Sequence, residues 1–155
     1  MSILDINDKA PSFDLPTNNE GALTLSGLKG KTVVLYFYPK DLTPGCTTES
    51  QDFRDRFNDF DKAGAVIVGA SKDSVARHDR FVAKHDLPFS LVSDENGTLC
   101  EDYGVWKLKK LYGREFMGIE RSTFIIDGEG IIRYVWRKVK VKGHVDEVLS
   151  AAQAL

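Results

Sequence analysis

Cysteine is scarce in this sequence, with two in 155 residues, Cys46 and Cys100. So few exclude a disulfide framework, and their separation fits neither a paired zinc knuckle nor a Cys-x-x-Cys redox site. Any thiol chemistry must come from the surroundings of an individual cysteine. Charge of one sign is also lacking. The 21 Lys and Arg are interspersed among 23 Asp and Glu for a net charge of −2, giving no field of the kind that draws nucleic acid or an anionic membrane. Neither partner is expected. No apolar run approaches a membrane span, and the opening Met-Ser-Ile-Leu-Asp-Ile-Asn-Asp is acidic where a secretory signal is basic. A soluble, cytoplasmic protein is expected. Repeats, low-complexity tracts and Pro/Ser-rich linkers are absent. Residues 1–155 are read as a single domain, long enough to bury its own core.

What is present has α/β periodicity. Thr32 to Tyr38 is a continuous apolar and β-branched run, the signature of a strand covered on both faces. After Pro39 and a turn-rich loop comes a helical pattern with Phe53, Phe57 and Phe60 at core spacing. Residues 65–70 predict a second buried strand, 74–85 a second helix and 88–92 a third strand. Right-handed crossovers would set these three strands parallel, with both helices on one face. A short helix near Gly97 is expected, then a hairpin of 122–126 and 131–136 around Asp-Gly-Glu-Gly, and a closing helix through Val145, Val148 and Leu149. The stretch with Pro11 and Pro16 reads as irregular. The fold class is α/β, a thioredoxin-like sandwich whose central mixed β-sheet is flanked by helices.

Cys46 opens the first of these helices. A helix N-terminus offers free backbone N–H groups and the positive end of the macrodipole, which favour a thiolate. Pro39 and Pro44 restrict Tyr38 and Thr43 and hold the loop in one shape, so that the Thr43 hydroxyl can point at the site. Acidity cannot be the whole mechanism. A thiol of pKa about 8.5 is already roughly 3% ionised at pH 7, so complete ionisation gains only about 30-fold. Attack on an O–O bond places negative charge on both oxygens and calls for fixed donors around them. The Thr43 hydroxyl and the N–H groups of Gly45 and Cys46 are local candidates. Topology adds a cation: if strand 122–126 lies antiparallel beside the Cys46 strand, Arg121 falls at the same end of the sheet and offers a rigid, permanently charged donor fork.

Pro39, Thr43 and Cys46 form a Pro-x-x-x-Thr-x-x-Cys pattern that resembles the peroxiredoxin active-site signature. The longer string from Tyr36 to Glu49 resembles the PrxQ, or bacterioferritin comigratory protein, branch of that family. The likeness extends through Ala10-Pro11-x-Phe13-x-Leu15-Pro16, Leu91-Val92-Ser93-Asp94, Tyr103-Gly104-Val105-Trp106 and Arg121-Ser122-Thr123-Phe124. It implies a thiol-dependent peroxidase that reduces hydrogen peroxide and organic hydroperoxides through a sulfenic acid at Cys46, the peroxidatic nucleophile. Pro39, Thr43 and Arg121 would complete the pocket, with Glu49 linking to the arginine. It also implies a monomer, with a dimer as the alternative.

The pattern breaks at the second half of the cycle. Many PrxQ members carry a resolving cysteine five residues after the first, where this chain has Gln51, and others place it in the helix after the second core strand, where residues 74–85 hold none. Cys100 remains as a resolving candidate, about 10 Å from the Cys46 strand in the expected topology, against the roughly 7 Å between Cα atoms that a disulfide tolerates. A buried structural thiol is its plainer reading. The favoured cycle is one-cysteine, with thioredoxin, glutaredoxin or a low-molecular-weight thiol as reductant. The alternative is a noncatalytic redox sensor or interaction module using the same thiol. His78, His85 and His144 lie on separate elements or two helical turns apart with no completing ligands, so no metal is expected, and no cofactor. The basic run from Arg137 to Lys142 reads as a solvated edge.

Overall fold

A computed structural model describes residues 4–155. Seven strands form one mixed sheet, in the spatial order β2 (Gly21–Thr24), β1 (Asp14–Thr17), β5 (Ser90–Ser93), β4 (Ala65–Ser71), β3 (Thr32–Phe37), β8 (Ser122–Ile126) and β9 (Ile132–Trp136). Its centre is β3 (Thr32–Phe37), β4 (Ala65–Ser71) and β5 (Ser90–Ser93), all parallel, with β8 (Ser122–Ile126) antiparallel against β3 and β9 (Ile132–Trp136) against β8. This is the thioredoxin-like α/β arrangement expected from the apolar runs.

Alternation along β3 divides the core in two. Val34, Tyr36 and Tyr38 face one side, packing with Phe53, Phe60, Phe81, Val145 and Val148 from the helices α1 (Pro44–Asp55), α2 (Phe57–Lys62), α3 (Val75–His85) and α5 (His144–Gln153). Val33, Leu35 and Phe37 face the other, against Ala10, Phe13, Tyr103 and the short helix α4 (Leu99–Asp102). Period-two alternation on a doubly covered strand requires two such layers.

Three features differ from the sequence expectation. The helical pattern through Phe53, Phe57 and Phe60 is broken at Arg56 (φ −105°, ψ 8°), separating α1 from α2, yet Phe53 and Phe60 are fully buried and Phe57 partly so. The stretch around Pro16 is not irregular. Asp14–Thr17 and Gly21–Thr24 form a hairpin (β1, β2) that joins the sheet edge through Thr17 and Val92. A second hairpin, β6 (Trp106–Leu111) and β7 (Arg114–Ile119), stands apart from the main sheet and was not foreseen. Its two-residue turn, Tyr112-Gly113, has φ of 51° and 76°, the doubly left-handed pattern of a type I′ turn.

Candidate active site

The inner stripe of α1 consists of Cys46, Glu49, Ser50 and Phe53, spaced at i, i+3, i+4 and i+7 and all buried. The face that anchors the helix on the sheet therefore also carries the reactive group. Pro44 occupies the first helical position, and Thr43 is the N-cap without a side-chain cap bond. The N–H groups of the first turn, Gly45 and Cys46 among them, are left to face the site.

Arg121 arrives where topology placed it. Ser122 pairs with Phe37 across β8 and β3, which brings the preceding residue beside α1. Its Nη1 donates to Glu49 Oε1 at 2.6 Å and its Nη2 to Cys46 Sγ at 3.4 Å. One rigid fork thus joins the sulfur to the carboxylate. Gly45 makes room for this approach: a Cβ there would lie 3.3 Å from Arg121 Nη2. The thiol of Cys46 is free, and the residue is only 1% exposed.

Thr43 is oriented differently from the sequence expectation. Its hydroxyl donates to the Lys40 carbonyl at 2.7 Å. Its proton is committed there, so a contact of this hydroxyl with the site would have to be as an acceptor. Pro39, half-buried, opens the loop one residue beyond the end of β3, after Tyr38.

Sequence reasoning missed what holds this loop. Asp41 is completely buried; its Oδ1 accepts from Tyr38 Oη at 2.5 Å and its Oδ2 pairs with His78 Nδ1 at 2.6 Å, while His78 Nε2 donates to the Val92 carbonyl at 2.9 Å. The Asp41 N–H donates to Asp73 and its carbonyl accepts from Arg77. This network ties the loop to α3 and β5. Leu42 is held at φ 65°, a left-handed conformation costing about 1–3 kcal/mol for such a residue, which persists only where neighbours over-determine it. The other two histidines also have hydrogen-bond partners, His144 in Thr123 at 2.8 Å and His85 in Gln51 at 3.2 Å. Lys109 of β6 brings a second cation toward Arg121 and Cys46, and burial followed by the charge of Arg121 holds its ammonium below the ordinary lysine range.

Glu49 is the electrostatic anomaly. Burial pushes its carboxyl from 4.5 up to about 7 against the pull of Arg121, and its second oxygen, Oε2, has no hydrogen-bond partner. Between about pH 4.5 and 7 the folded protein keeps a proton that the unfolded chain has released, so this group's contribution to stability falls as pH rises through that window. The change amounts to about 3 kcal/mol at most. Relative to wild type, Glu49→Gln is expected to gain stability across that range, as read by urea unfolding at a series of pH values. His144 has the opposite sign. Burial lowers it to about 4, so its contribution is lost as pH falls below its ordinary 6.5.

Cys100 lies in the other layer. Cys46 packs with the α1, α2, α3 and α5 cluster and Cys100 with the cluster on the opposite face, so the sheet stands between them. Asp94 accepts from the N–H groups of both Leu99 and Cys100 and fixes α4 there. Burial and then the Asp94 charge push the Cys100 thiol far up, which favours its protonated form.

Residues 6–135 match the AhpC/TSA family. The chain belongs to that family, in its Bcp/PrxQ branch. It is 55% identical over 149 residues to the putative peroxiredoxin bcp of Coxiella burnetii, covering 96% of this chain and 98% of that one. It is 54% identical over 146 residues to peroxiredoxin Bcp of Bacillus subtilis, covering 94% and 93%. The bacterioferritin comigratory protein of Xanthomonas campestris, solved as trapped intermediate and ligand complexes bearing on its alkyl peroxide reduction activity, superposes with a TM-score of 0.88 at 49% identity, covering 92% of this chain and 90% of that one. As a peroxiredoxin of thioredoxin fold, the chain is a thiol peroxidase.

Proposed function

We propose that this peroxiredoxin works by a one-cysteine cycle at Cys46, reducing hydrogen peroxide and organic hydroperoxides. The observation that carries the reading is the Arg121 fork, which places one charged donor on the sulfur and another on a buried carboxylate. The Cys46 thiolate attacks one peroxide oxygen; the S–O bond forms as the O–O bond breaks, and the leaving alkoxide or hydroxide takes a proton. Arg121 and the first-turn N–H groups stabilise charge on the two oxygens, while the Thr43 lone pair receives the hydrogen of the attacked one. The product is a sulfenic acid and an alcohol or water. An external thiol then displaces water to give a mixed disulfide, and a second thiol releases Cys46.

Thioredoxin, glutaredoxin and a low-molecular-weight thiol all fit this scheme. Since Cys46 is nearly enclosed, the start of α1 must open to admit any of them. By resemblance to the PrxQ branch, the working form is read as a monomer, with a dimer as the alternative, and the sequence itself is read as one cytoplasmic domain.

Intact mass after one equivalent of peroxide tests the cycle. Wild type and Cys100→Ser are both expected to gain one oxygen and to turn over equally with an external thiol. Loss of two hydrogens in wild type, abolished by Cys100→Ser, would establish an internal disulfide and overturn the one-cysteine reading. Oxidation that stops after one equivalent with every thiol reductant would favour a sensor instead.

A further inference from the structure

Apart from Lys109, whose ammonium lies toward Arg121 and Cys46, the β6–β7 hairpin has no part in the chemistry above, and its surface is unlike the rest of the molecule. Leu108, Leu111, Tyr112, Phe116 and Met117 are all exposed on it, Tyr112 by 96% at the turn. The register Leu108↔Met117 and Lys109↔Phe116 places these side chains on both faces of the ribbon, because directly opposed residues share a face and neighbours alternate. Around them stand Lys107, Lys109, Lys110 and Arg114, opposed only by Glu115, which pairs with Lys110 at 3.4 Å. A surplus of three positive charges is thus concentrated in fourteen residues of a chain whose net charge is −2.

We propose that this hairpin is a wedge that docks the protein on an anionic lipid bilayer. A protein partner would call for one apolar face backed by a polar one, whereas this ribbon is apolar on both faces and at its tip. That suits a medium that surrounds it. Aromatic and aliphatic tips ringed by Lys and Arg fit the headgroup boundary, where the apolar part enters the interface and the cations meet lipid phosphates. The ribbon's base is fixed by buried Ile119 and by Lys72 lying over the Trp106 ring at 5.1 Å, and each strand reaches about 20 Å from it. No helix among the described residues is long and apolar enough to cross a membrane, so the contact is peripheral. β7 leads through Glu120 directly to Arg121, so docking holds the Cys46 site about 20 Å from the bilayer and raises the local supply of lipid-derived hydroperoxides. That last consequence rests on the proposed peroxidase function; the docking does not.

Cosedimentation with vesicles of phosphatidylcholine and phosphatidylglycerol, against phosphatidylcholine alone, tests the proposal. Wild type is expected to bind the anionic vesicles and to be released by salt. Leu111→Ser/Tyr112→Ser should weaken binding about tenfold or more, and Lys107→Gln and Lys110→Gln roughly fivefold each. All should keep the wild-type rate with hydrogen peroxide, which separates a failure of docking from a failure of the peroxidase reading. The proposal is overturned if wild type does not bind anionic vesicles at low salt, or if the apolar double variant binds as well as wild type. Hairpin-dependent self-association or hairpin-dependent binding of a protein reductant, without vesicle binding, would also overturn it.

Discussion

Cys46→Ser is expected to abolish peroxide consumption, by roughly four orders of magnitude or more, because a serine hydroxyl is essentially un-ionised at neutral pH whereas even an ordinary cysteine is a few per cent thiolate. No oxygen should be added to the protein by one equivalent of peroxide. The substitution removes one heavy-atom size difference and no backbone bond, so circular dichroism and thermal unfolding should stay near wild type. The contrast between a folded protein and an inert one is the informative result; full retained activity would remove Cys46 from the mechanism.

Arg121→Ala should produce the second large effect, and in two separable parts. Loss of a preorganised donor on the developing charge is expected to cost about 10²–10³ in peroxide turnover. Loss of the one side-chain partner that the buried Glu49 carboxylate has among the described residues is expected to cost about 3–5 kcal/mol of stability above pH 7, where Glu49 would otherwise ionise. Combining Arg121→Ala with Glu49→Gln should restore much of the stability and none of the activity. Arg121→Lys should fall between, since a single ammonium cannot span both Glu49 Oε1 and Cys46 Sγ as the planar fork does. Peroxide kinetics and urea unfolding on the four proteins would check the set; a double variant that regains activity would show that Arg121 acts only by neutralising Glu49.

Much of the frame could be read from the chain because burial writes itself into sequence. The doubly covered strands β3, β4 and β8 are near-continuous apolar runs, and antiparallel pairing of β8 with β3 was enough to bring Arg121 to the helix carrying Cys46. The two hairpins escaped for different reasons. In β1 a proline interrupts the strand signal, and the sheet tolerates it because β1 meets β5 only at Thr17. In β6–β7 both faces meet solvent, so no apolar-in, polar-out alternation marks a buried side, and Tyr-Gly is a weaker turn signal than Asn-Gly. The loop network could not be read either. Asp41 stood beside the signature in plain view, but its partners His78 and Arg77 come from a helix more than thirty residues away, and only folded coordinates join them. Whether Thr43 gives or receives a hydrogen bond likewise depends on where the Lys40 carbonyl points.

The sheet between Cys46 and Cys100 finally turns an architectural matter into a kinetic one. A resolving thiol on the same chain acts at a fixed effective concentration, whatever the surroundings supply. Under the proposed one-cysteine cycle no such thiol acts, and the lifetime of oxidised Cys46 is inversely proportional to the free reductant present. A second peroxide competes for the same sulfur and drives it toward sulfinic acid. The ratio of reductant to peroxide, rather than the speed of the first attack, then decides whether the enzyme cycles or is spent.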